Sequence, residues 1–156
     1  MSNLVIQAPT PAAAETPIKS SEFWPDIDPA KVRDDQRIDN TVTPPRLRHA
    51  LVEAIATTNH ALLKWRSAQQ AGGFAKLDDV PADTVDDVSV LTQRYQRAVG
   101  CLAKALLLER YRDIDTTAKG DKKADTLTDP IDDLRRDHQN ALADITGRTR
   151  STVELI

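Results

Sequence analysis

Between Val88 and Asp113 the sequence sets apolar side chains at Val88, Leu91, Tyr95, Val99, Leu102, Leu106 and Tyr111. Most of those steps are three or four residues, which stacks the side chains on one face of an α-helix. Ala98, Ala103 and Ala105 widen the stripe, and Leu107 and Leu108 make the last turns apolar nearly all round. A helix apolar on more than one face is packed on more than one side. The stretch is therefore predicted as the central helix, with Asp86 or Asp87 as its cap and Arg110 and Arg112 complementing the dipole in its last turn. Cys101 lies in its middle and reads as a buried structural thiol rather than a nucleophile.

The other elements are marked by a repeated device, an acidic or hydroxyl cap followed by proline at the first helical position. Asp28-Pro29 starts a short helix to about Arg37, preceded by Phe23 and Trp24 as a hydrophobic anchor or, alternatively, an inter-subunit contact. Thr43-Pro44-Pro45 starts a second helix running to Ala71, with Gly72 as the left-handed residue that ends it. Its buried face is Leu47, Leu51, Ile55, Leu62 and Trp65, and at 1.5 Å per residue it spans roughly 40 Å as the antiparallel partner of the central helix. Asp129-Pro130 starts the last helix, with Ile131, Leu134, His138, Ala141, Leu142 and Ile145 on its face and Gly147 at its end. The prediction is an all-α bundle of about four helices built on two long antiparallel ones. It has a flexible arm over 1–21, a helical domain over 22–147 and an extended tail over 148–156.

Charge and motifs exclude more than they assign. A net charge of −3 argues neither for a nucleic-acid groove nor for a membrane surface. No run approaches the ~20 apolar residues of a membrane helix, and the N-terminus lacks the pattern of a signal peptide. Asp78, Asp79, Asp83, Asp86 and Asp87 lack the glycine and terminal glutamate of a calcium loop, and Ala118 and Ala124 spoil a second such reading that starts at Asp113. His49, His60 and His138 are scattered, so zinc has no ligand set. There is no phosphate loop, no nucleophile elbow and no motif for any cofactor. Arg46, Arg48 and Lys64 are the feature of a competing reading, a helical regulatory or DNA-binding module, but they are spread out along the second helix. The residues alone describe a helical, non-catalytic, interaction-prone chain.

Several runs, taken in order, resemble the head completion protein (GPL) family of temperate contractile-tailed phages. They are FWPDIDP at 23–29, DNTVTPPRLRHA at 39–50, NHALLKWRSAQQ at 59–70, LDDVPAD at 77–83, ERYRDIDTTAKGDKKAD at 109–125, IDDLRRD at 131–137 and RTRSTVELI at the end. The resemblance implies a virion protein at the head–tail interface, made in the host cytoplasm. It implies a ring adaptor, usually twelvefold (a dodecamer), that meets the portal ring, neighbouring copies and neck or tail completion proteins, with passive contact to packaged DNA.

On that basis three sets of residues are expected to make contacts. The stretch Thr152, Val153, Glu154, Leu155 and Ile156 is β-prone and ends on two aliphatic residues, and with Arg148 and Arg150 it is expected to reach the portal or a neighbouring subunit by strand addition. Phe23 and Trp24 are placed near the inter-subunit seam. The polar segment 114–128, with Asp115, Lys119, Gly120, Asp121, Lys122 and Lys123, is expected to face the channel or the next ring, as a loop or a frayed helical extension.

Overall fold

The structure is a computed structural model that describes residues 16–115 and 121–150. These are mostly helical: α1 (Pro29–Asp35), α2 (Pro44–Ala61), α3 (Leu63–Ala71), a 3₁₀ turn (Leu77–Asp79), a hairpin of β1 (Thr84–Val85) and β2 (Val88–Ser89), α4 (Val90–Asp115) and α5 (Asp121–Thr146).

The central helix is α4, and Tyr95, Ala98, Val99, Ala103 and Ala105 on it are fully buried. It begins two residues later than the periodicity suggests, because Val88 and Ser89 pair antiparallel with Val85 and Thr84. Asp86 and Asp87 are not caps. Both have positive φ, 55° and 58°, and form the two-residue turn of the hairpin. The cap is Ser89, whose Oγ accepts from the Leu91 N–H at 3.3 Å. Gly100 in mid-helix has a packing reason, since a Cβ there would meet the Gln36 side chain at 3.2 Å. Lys104 Nζ donates to the Gln36 carbonyl at 2.6 Å, which holds the end of α1 on α4.

Two helices flank α4 in opposite chain direction. Along α5, Asp144 meets Arg94, His138 meets Ala98 and Arg135 meets Glu109. Along α2, Asn59 meets Tyr95 and His49 meets Arg110.

The predicted second helix is broken at Leu62, giving α2 and α3. Thr57, Thr58 and Asn59 just before the break are weak helix formers. Asn59 is also engaged sideways, accepting from Tyr95 Oη at 2.7 Å and donating to Ser20 Oγ at 2.8 Å. Leu62 itself is buried while α3 buries no residue fully. The left-handed residue after α3 is Gly73 (φ 96°), one place beyond the predicted Gly72, which stays helical. Gly73 N–H bonds Gln70 O and Phe74 N–H bonds Gln69 O, the paired closure that needs positive φ at the residue after the cap. The end of α1 uses the same closure with Arg37 at φ 52°, donating to Asp34 O while Ile38 donates to Arg33 O.

The last helix starts at Asp121, not Asp129, and so carries Pro130 in its interior. Asp121 places negative charge at the helix N-terminus, and Lys, Ala and Leu in 122–127 are good helix formers.

The N-terminal segment completes the core. Ile18, which the sequence reading puts in the arm, exchanges both backbone hydrogen bonds with Ile27 (2.7 and 3.0 Å). Between them Phe23 and Trp24 turn inward, 2% and 3% exposed. Trp24 stacks on Tyr95 with ring centroids 4.6 Å apart and planes 5° apart, and meets Phe23 edge-on at 4.8 Å. These two side chains are the hydrophobic anchor. Burial of this extent is what the anchor alternative requires.

Candidate interaction surfaces

The tail leaves the fold at a fixed point. Gly147 (φ 69°) closes α5, and Arg148 N–H bonds Ala143 O at 3.0 Å. Arg150 then folds back on Asp144, with Nε and Nη2 donating to its two carboxylate oxygens at 3.0 and 2.6 Å. That fork holds the Asp144 carboxyl below its ordinary pKa and raises that of Arg150. Arg94 reaches the Asp144 carbonyl at 3.2 Å, so the tail exit lies beside the first turns of α4. Arg148, Thr149 and Arg150 share a groove with Ala61, Leu62 and Leu142 there. Thr152, Val153, Glu154, Leu155 and Ile156 lie outside the described residues, as do Lys119 and Gly120. Asp115 ends α4, and Asp121, Lys122 and Lys123 open α5, so the structure brings helix to both sides of the expected channel loop.

The hairpin is a second surface. Val85 and Val88 oppose each other across it, 58% and 41% exposed, on strands only two residues long. Gln93 Nε2 donates to both of their carbonyls, at 2.6 and 3.2 Å, and braces the hairpin on α4. The sequence reading treated these residues as connection and helix start and missed the pair. The signal available was Val-Asp-Asp-Val, an apolar pair flanking two turn-tolerant residues.

A third surface, also missed, is an apolar pocket of about 560 Å³ where the start of α2 meets the end of α4. No local motif announces it, because its walls come from residues some sixty positions apart, as the Arg110–His49 contact at 3.4 Å illustrates.

The basic residues of the module reading do not converge. Arg46 lines that pocket, Arg48 Nη1 donates to Thr16 O at 2.8 Å, and Lys64 sits on α3 beyond the break. Among the described residues no cluster of three or more His, Cys, Asp or Glu is placed to hold a metal ion. Burial raises the Cys101 thiol pKa, which keeps it protonated. Burial lowers the pKa of His138, and since Ala98 O can only accept, Nδ1 carries the proton in their 2.9 Å bond. No described helix is long and apolar enough to cross a membrane.

The described residues thus place helices on both sides of a buried α4 and hold Arg150 against Asp144 where the chain leaves the fold. Residues 18–156 match the phage head completion protein (GPL) family. The chain belongs to that family. The head completion/stabilization protein of Escherichia phage P2 is 47% identical over 148 residues, covering 95% of this chain and 88% of its own length. No solved structure matches the chain. In this GPL-family member two of the runs that carry the resemblance are architectural: FWPDIDP is the aromatic plug and cap of α1, and TPPRLRHA is the start of α2.

Proposed function

We propose that this protein is a virion structural component that completes and stabilises the DNA-filled phage head, as a ring adaptor between the portal and the neck or tail proteins. The observation that carries this is family membership over residues 18–156, with 47% identity to the phage P2 head completion/stabilization protein. The architecture supports it. Helix α3 buries no residue fully, Leu63 on it is 43% exposed and Val52 on α2 is 50% exposed, so both helices carry apolar surface for a neighbour. Ring contacts are heterologous, one face meeting a different face of the next copy, and a dodecamer matches a twelvefold portal. Arg148, Arg150 and residues 152–156 are the portal or subunit contact in this reading, and the connection around 115–123 faces the channel or the next ring.

The test is co-sedimentation of the purified protein with isolated portal rings, imaged by electron microscopy. A symmetric collar on one end of the ring is the expected result, and its rotational symmetry counts the subunits. Absence of a collar, with heads that still complete and join tails when the protein is missing, overturns the reading. Deleting residues 152–156 is expected to abolish the collar. An unchanged collar removes the tail from the contact.

A further inference from the structure

The pocket between α2 and α4 has a particular chemistry. Its walls are Pro45, Ala50, Leu107 and the Tyr111 ring, and its polar groups are Arg46, His49 and Arg110. Among the described residues no carboxylate pairs with Arg46 or Arg110. Two guanidinium groups beside an apolar wall leave a place for one anionic group. The pocket therefore suits a ligand with aliphatic side chains and one carboxylate.

The sequence after Arg150 has that composition: Thr152, Val153, Glu154, Leu155 and Ile156. We propose that this pocket receives residues 152–156 of a second copy of the chain. The aliphatic side chains line the apolar walls, and the Glu154 carboxylate takes the Arg46 and Arg110 charges. Geometry favours the second copy over the chain's own tail. The Arg150–Asp144 fork fixes the exit beside Arg94. Leu107 lies thirteen residues further along α4 than Arg94, about 20 Å at 1.5 Å per residue. The four steps from Arg150 to Glu154 span at most ~14 Å fully extended. Donor and acceptor thus sit toward opposite ends of one helix. A contact of that kind is head-to-tail, the type that makes a ring when its rotation closes. The inference deepens the adaptor reading by naming one seam of the ring, and it rests on that reading only for the ring, not for the binding.

The test titrates a fluorescein-labelled peptide of residues 148–156 with full-length protein and follows anisotropy. Saturable binding is expected, weakened at least tenfold by Arg110→Gln in the protein or by Glu154→Gln in the peptide. Circular dichroism checks that each variant folds. No saturable binding up to about 1 mM protein, or equal affinity for the Arg110→Gln protein, overturns the proposal. A photo-crosslinker in place of Leu155, in a mixture of light and ¹⁵N-labelled full chains with portal rings, reports the source of the tail. Light–heavy adducts at 45–50 and 107–111 support a second copy, and adducts within one isotope only overturn it. If Arg110→Gln chains still form a complete collar, the pocket contact falls while the adaptor reading stands. If the peptide binds as expected but wild-type chains form no collar, the adaptor reading falls and the pocket contact stands.

Discussion

Replacing Trp24 by alanine separates a core anchor from a subunit seam. The ring is 3% exposed and touches three other aromatics: Tyr95 (4.6 Å, stacked), Phe23 (4.8 Å, edge-on) and Trp65 (6.4 Å, stacked). Truncating such a residue costs about 3–5 kcal/mol through lost transfer energy and the cavity left behind. The Tyr95 stack adds about 0.5–1.5 kcal/mol. One effect opposes these. Trp24 Nε1 is buried without a partner, and removing it relieves about 1 kcal/mol of desolvation. The expected net loss is about 2.5–5.5 kcal/mol, a large part of the ~5–15 kcal/mol that holds a domain together. At this chain length that lowers the melting temperature by roughly 5–20 °C. Urea unfolding followed by Trp65 fluorescence and far-ultraviolet circular dichroism measures it. Trp24→Phe restores most of the volume without the orphan N–H and is expected to recover at least half of the loss. A change below about 1 kcal/mol in Trp24→Ala, with self-association or portal binding lost instead, would refute the anchor and return Trp24 to a seam.

Three further outcomes follow from the geometry. Burial lowers the His138 pKa, so the unfolded chain takes up that proton first; stability is full above about pH 6.5 and is lost as pH falls below it, by up to ~1.4 kcal/mol per pH unit. His138→Asn, which keeps a donor for Ala98 O, is expected to flatten that slope in urea titrations between pH 7 and 5. Asp144 is held low by Arg150, so its contribution is present at neutral pH and fades as pH falls below the ordinary carboxylate value of 3.8. Because Arg150 is 57% exposed, Asp144→Asn at pH 7 should cost little stability and speed hydrogen exchange at the Arg148 amide, which bonds Ala143 O, by no more than about fivefold. Arg37→Gly should stabilise the protein by roughly 0.5–1 kcal/mol, because φ 52° strains a side chain that glycine lacks; a lower urea midpoint would contradict this.

What was legible in the sequence was whatever depends on neighbours along the chain. The stripe from Leu91 to Leu107 is periodic, and Asp28 does cap α1, its Oδ1 accepting from Ala30 N–H at 2.9 Å. The errors arose where distant residues overrule local preference. Nothing near Leu62 ends a helix by itself; the turn there accompanies Asn59's engagement by Tyr95 and Ser20. Asp86 and Asp87 have the chemistry of caps, but the pairing of Val85 with Val88 places them in a hairpin turn. Asp129-Pro130 has the signature of a helix start and lies within a helix instead. Of the contact surfaces, only the tail and the 115–123 connection could be named beforehand, because they are contiguous in sequence. The pocket between α2 and α4 exists only after folding.

The stack of Trp24 on Tyr95 also sets a schedule for synthesis. Trp24 leaves the ribosome first, and Tyr95 follows roughly 70 residues later, about 4–14 s at ordinary translation rates. During that interval Phe23 and Trp24 have neither α4 nor the 3₁₀ turn, whose Leu77 N–H bonds Phe23 O at 2.9 Å, to cover them. The aromatic pair thus appears long before the residue it stacks on and must wait for it. Slowing translation between codons 24 and 95 should therefore lower the soluble yield more than the same delay placed after codon 115.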